Sequence, residues 1–161
     1  MAANARFSVW KQWAQRGQLL GLEFPGVYVI AISGAGLHGK PFSWRSDIAY
    51  VGMTNAVAGL TGRLRQFDLT ISGKRLAHGG ADRVRKAHHR YAHLLPRLFV
   101  AVHPVKCNVT SGAVRDLLLM GRVARFEFQC LARYVQLFGR LPLFNDKARS
   151  PKYSAANREE R

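Results

Sequence analysis

The sequence predicts a mixed α/β (α+β) fold in a single domain, on three observations. Three short β-branched and aromatic runs, at 27–32, 48–52 and 97–105, read as buried strands. They are set among segments whose apolar residues recur at helical spacing, the longest over 113–140. The chain has 161 residues, 48% of them hydrophobic, which is one domain's worth of core and too apolar for a disordered chain.

Each element has its own local reason. Residues 8–16 predict a short amphipathic helix, with Ser8 as N-cap and Trp10 and Trp13 on one face, so that 1–23 forms a helical N-terminal extension. Pro25-Gly26 marks a turn into the first strand, Val27 to Ile32. Ser33 to Lys40 is a loop carrying Gly34, Gly36 and Gly39, and Ile48 to Gly52 is a second strand pairing with the first across a long hairpin. Leu60, Leu64 and Phe67 give helical spacing to the segment that starts at Gly59. Residues 70–90 are cationic, with Asp82 as their only acid. They read either as a solvated loop leading into a helix or as a phosphate-contacting stretch. Pro104 closes the third strand. Over 113–140, Arg115, Arg122, Arg125, Gln129, Arg133, Gln136 and Arg140 form one polar stripe. The other positions are mainly apolar, which predicts a helix buried over most of its circumference, with Gly121 as a candidate break. Residues 147–161 predict a frayed basic tail.

Charge narrows the partners. Twenty-five Lys and Arg against nine Asp and Glu give +16 and a pI near 11.1. That surplus favours a polyanionic partner, nucleic acid or an anionic membrane surface, and nine acids leave little material for an all-carboxylate metal cage. The apolar runs fall short of the ~20 residues a membrane span needs, and the N-terminus lacks the pattern of a secretion signal. Two distant cysteines, Cys107 and Cys130, predict a reducing cytoplasm, at the nucleoid in a bacterium. His89 and His93 have helical metal-ligand spacing but no Cys-x-x-Cys pair to complete a zinc site. Neither a phosphate-binding Gly-x-x-x-x-Gly-Lys loop nor a nucleophile elbow occurs.

Glu127 carries the most information. At 100° per residue it lies roughly 150° from the middle of the arginine stripe, on the face of Leu131, Tyr134 and Phe138. A carboxylate on an inward face needs a cation or strong donors. An internal salt bridge with an arginine satisfies that need. So does a role as metal ligand or general base in a basic cleft.

Set in order along the chain, Gly26-Val27-Tyr28, Tyr50-Val51-Gly52, Arg63 on the following helix, Glu127 on a later one and Asn145 after Pro142 resemble the GIY-YIG nuclease family. The resemblance spans residues 24–146. It implies a three-stranded antiparallel sheet flanked by helices and hydrolysis of phosphodiesters in DNA. It also implies a single divalent ion, Mg2+ or Mn2+, held by Glu127. By the same resemblance Tyr28 is the general base, Tyr50 orients water or phosphate and Arg63 bridges phosphate oxygens. Gly26 and Gly52 allow close backbone approach, and Asn145 supports the site. Positive charge beside Tyr28 favours its phenolate, whose reference pKa is ~10. Arg65, Lys74, Arg75, Arg83, Arg85 and Lys86 are expected nucleic-acid contacts, and His78 or His88 an auxiliary catalytic group. Arg65 could stand in for Arg63 if the helix register differs.

Taken singly, Tyr28 and Tyr50 read as core residues and Arg63 as a solvated one. The chain also departs from the family pattern. Twenty-one residues separate Tyr28 from Tyr50, an extended hairpin carrying Trp44 and Arg45, and Met53 stands where some members have lysine. Two other readings therefore stand beside the enzyme: the same fold used only to bind DNA or RNA, and a basic RNA-associated protein with coincidental tripeptides.

Overall fold

The computed structural model describes residues 6–76 and 78–154. Strands form where the apolar runs predict them: β2 at Gly26–Ile32, β3 at Ile48–Thr54 and β4 at Leu98–Pro104. A further two-residue strand, β1 at Lys11–Gln12, makes the antiparallel sheet four-stranded, in the order β1-β4-β2-β3. The helices are α1 (Gly59–Ile71), α2 (Gly79–Ala87), α3 (Tyr91–Leu94) and α4 (Val114–Phe138).

The fourth strand corrects the expected N-terminal helix. Ser8 exchanges hydrogen bonds with Val102 instead of capping a helix: its N–H donates to the Val102 carbonyl at 2.8 Å and its Oγ accepts from the Val102 N–H at 3.0 Å. Lys11 and Gln12 then pair with Val100 and Phe99. Trp10 and Trp13 consequently enter opposite cores, one on each side of the sheet. Only from Trp13 to Gln18 does the chain coil, as a 3-10 helix. Unpaired N–H and C=O groups along β4 outweigh the weak helix preference of so short a segment.

The pleat divides the core in two. Tyr28, Ile30, Val100 and Val102 face α1 and α2, meeting Leu60, Leu64, Phe67, Ile71, Ala81 and Val84. Val27, Val29, Ala31 and Ala101 face α4, meeting Val123, Cys130 and Tyr134. Each large side chain buried this way contributes about 1.5–3 kcal/mol. The β2–β3 register shifts once, where Ile30 pairs with Tyr50 but Ala31 with Ile48. Ala49 is the extra residue. Tyr50, opposite Ile30, lies on the same face as Tyr28, and the bulge begins at the residue next to it.

α4 differs from expectation in two ways. It runs unbroken through Gly121 and ends at Gly139, whose φ of 71° is the left-handed conformation of a helix C-cap. Nor is it buried over most of its circumference. Val123, Cys130 and Tyr134 are buried, while Leu117, Leu118 and Phe128 are 54%, 65% and 71% exposed. The arginine stripe is exposed, as predicted. The expected tail is corrected as well: residues 147–154 pack on α2, and Ser150 is buried. Residues 155–161 lie outside the described part. No helix among the described residues is long and apolar enough to cross a membrane.

Candidate active site

Tyr28 on β2 and Tyr50 on β3 stand on the α1/α2 face with ring centroids 6.0 Å apart. Tyr28 is fully buried; Tyr50 is partly exposed and lines a pocket of about 280 Å³ with Arg63, Asn145 and the first turn of α2. Glycine makes this packing possible. A Cβ on Gly52 would lie 2.5 Å from the Tyr28 hydroxyl, and one on Gly80 2.4 Å from the Tyr50 ring. Gly26 instead lies at the start of β2, where a Cβ would strike the His103 carbonyl at 2.3 Å; it closes the β2–β4 contact rather than lining the site.

Asn145, in a short 3-10 turn after α4, clamps the backbone between Tyr50 and Gly52. Its Oδ1 accepts from the Val51 N–H and its Nδ2 donates to the Val51 carbonyl, both at 2.8 Å. Arg63 donates from Nη1 to Gln66 Oε1 at 3.1 Å, while its buried Nε has no partner among the described residues. Arg65 is exposed on α1 and does not line the pocket.

Of the seven acids among the described residues, five are held in structural hydrogen bonds. Asp68 accepts from the Trp13 indole and the Tyr91 hydroxyl, each at 2.7 Å. Asp47 pairs with Arg45, Asp82 accepts from Ser154, Asp116 caps Asn108, and Asp146 accepts from Ala148. Glu23 is exposed. Glu127, on α4 at the β3 side of the sheet, has no ion pair or hydrogen bond among the described residues. Burial raises its carboxyl above the ordinary value, and Arg63 draws it back down. The same carboxylate raises both tyrosines, so the four groups are electrostatically coupled. Among the described residues no three His, Cys, Asp or Glu side chains converge as a metal cluster. One half-buried carboxylate without a partner suits a hard cation that keeps most of its waters.

The tyrosine expectation needs correcting. Burial, with Tyr50 adding to it, raises the Tyr28 hydroxyl well above its ordinary value, and Arg63 offsets this only in part. Tyr50 is raised too, again by burial first. A partner for Tyr28 comes from His78, at the N-cap of α2, whose Nε2 lies 2.6 Å from the Tyr28 oxygen. The Ala81 N–H donates to His78 Nδ1 at 3.2 Å. The neutral ring must then carry its proton on Nε2 and donate it to Tyr28. Burial and Arg63 lower the His78 pKa to about 3, which keeps the ring neutral. Tyr28 therefore receives a hydrogen bond that stabilises its oxygen as negative charge develops there.

The cationic stretch divides. Arg83 lines the pocket, while Arg85 lies 3.9 Å over the Tyr153 ring. Lys74 and Arg75 are exposed in the α1–α2 turn, and Lys86 is half-buried. His88 sits against Phe144, apart from the tyrosines. Sequence reasoning missed Lys147 and Lys152, which line the pocket from the C-terminal segment. A larger groove, about 1060 Å³, opens on the α4 face between Phe42, Trp44, Phe126 and Arg133. It contains none of the candidate site residues.

Comparison with models of known families, with curated proteins and with solved structures finds no match to this chain.

Proposed function

We propose that the chain is a divalent-metal-dependent endonuclease of the GIY-YIG type that hydrolyses phosphodiester bonds in DNA. The observation that carries this reading is the company Glu127 keeps. An unpartnered, half-buried carboxylate is electrostatically coupled to two tyrosines and an arginine whose Nε is unsatisfied.

Arg63 binds phosphate oxygens through its planar fork, already steadied by Gln66. Tyr28 holds a proton at its hydroxyl, oriented by the His78 hydrogen bond, and releases it only when added positive charge offsets the cost of burial. Tyr50, at the pocket wall, hydrogen-bonds water or phosphate. Asn145 fixes the strand that carries it. Glu127 would hold a single Mg2+ or Mn2+. When bound, that ion supplies Lewis-acid stabilisation of charge on the phosphate.

The test is cleavage of plasmid, single-stranded DNA and RNA with Mg2+ or chelator, by the native chain, Glu127→Gln and Tyr28→Phe. Cleavage of DNA should vanish with chelator and fall at least ~100-fold in each variant. Cleavage insensitive to chelator or to both substitutions overturns the reading. Salt-sensitive binding without cleavage identifies a binding module instead.

A further inference from the structure

We propose that the pocket beside Tyr50 contains a second phosphate seat, built by the C-terminal segment. Lys147 and Lys152, with Arg83, hold a phosphate group of the substrate strand next to the one that is cleaved. The seat rests on the nuclease reading of the same site and specifies how that site grips its strand.

The segment that builds it is latched to α2 at three points. Arg83 donates to the Ser150 carbonyl. Ser154 donates its hydroxyl to Asp82 at 2.7 Å, and the Tyr153 ring lies under Arg85. Ser150 also donates to the Asp146 carbonyl at 2.6 Å, which closes the chain between the site turn and the latch. The result brings two lysines, distant in sequence from Arg63, to the wall of its pocket.

That pocket is lined by Arg63, Arg83, Lys147 and Lys152 and by no carboxylate. Neither lysine has a hydrogen bond or ion pair among the described residues. Four like charges around about 280 Å³ repel one another unless an anion sits between them. The volume accommodates a phosphate group with several waters, each taking about 30 Å³. Glu127 does not line the pocket. The lysine wall is therefore separate from the carboxylate, and Arg63 belongs to the pocket while also acting electrostatically on Glu127. A strand whose cleaved phosphate lies at Arg63 would place a neighbouring phosphate against the lysines.

The experiment uses Glu127→Gln as parent, so that binding is read without cleavage. Labelled DNA oligonucleotides with and without a 5′-terminal phosphate are titrated over a salt series. The parent is compared with Lys147→Gln/Lys152→Gln and with Lys74→Gln/Arg75→Gln, a control of equal charge change. The Lys147/Lys152 variant should bind about 10-fold more weakly, and its salt slope should flatten by about one. The control should lose less affinity. In the native background the lysine substitutions should raise KM and leave kcat within about twofold, since they leave the chemical groups in place. A loss on both oligonucleotides assigns the seat to an internal phosphate; a loss confined to the phosphorylated one assigns it to a strand terminus. Unchanged affinity and salt slope, or an equal loss in the control, overturns the seat. If the seat behaves as expected while the native chain cleaves nothing, the nuclease reading falls and the seat stands. If cleavage is normal and the lysines are silent, the reverse holds.

Discussion

The two faces of the sheet bury similar sets of large side chains and differ in what else they bury. The α4 face is mostly apolar, with Val27, Val29, Leu37, Val51 and Val123; its polar members are the Tyr134 hydroxyl, which donates to the Ser46 and Ile48 carbonyls, and the half-buried Glu127 carboxylate. The α1/α2 face buries Tyr28 with His78, and Asp68 receives hydrogen bonds from Trp13 and Tyr91 and an ion pair from Arg16 at 3.4 Å. Buried polar groups cost stability unless every partner is in place, and an apolar core of the same shape avoids the risk. One face is therefore built for cohesion. The other carries a polar network around Tyr28 and Asp68, and local departures of this kind gather at functional sites.

Paired substitutions would break the contrast most directly. Tyr28→Phe should lower turnover by about two to four orders of magnitude and cost about 1–3 kcal/mol, because it strands the His78 donor. Leu37→Ala on the other face should cost about 2–5 kcal/mol yet leave turnover per folded molecule unchanged. Urea unfolding combined with active-fraction kinetics separates the two. A Leu37→Ala chain that folds but does not turn over would erase the distinction between the faces.

Acid should act first through the polar face. His78 has its pKa lowered from 6.5 to about 3, so below about 6.5 the unfolded chain takes up a proton that the folded chain refuses. The stability is complete above that value and is lost as pH falls, by about 1.4 kcal/mol per pH unit, down to about 3. His78→Gln should flatten this part of the profile in urea unfolding over a pH series. A slope unchanged by the substitution would show that other groups set it.

A smaller effect sharpens the account of Glu127. Its carboxyl is raised by burial, so the folded chain binds this proton more readily than the unfolded one, and stability falls as pH rises through the window between the ordinary and raised values. Glu127→Gln should raise Tm slightly at neutral pH and lose that advantage in acid, while activity disappears. A Tm lowered at neutral pH would mean that the carboxylate has a stabilising partner in the native fold.

Much of this arrangement can be read from the sequence. β-branched runs name β2, β3 and β4, because burial on both faces demands continuous apolar residues. Helical spacing names α1, and the angle around α4 places Glu127 on its inward side. β1 is not legible, because its strand geometry is imposed by β4, nearly ninety residues away. His78 stands out only as one histidine of a cationic stretch. Its partner is fifty residues distant and its orientation depends on the first turn of α2. Lys147 and Lys152 fall in a short polar run that looks like coil, and the latches through Asp82 and Arg83 that order it exist only in three dimensions.

The Asn145 clamp has a second consequence, for solubility. β3 is an edge of the sheet, and an edge strand offers its N–H and C=O groups to any passing chain. With donor and acceptor both engaged at Val51, the amide side chain takes the place of a neighbouring strand. The opposite edge is only two residues long. One margin of the sheet is thus blocked at Val51 and the other is short, which leaves little free edge for a second copy of the chain to pair with.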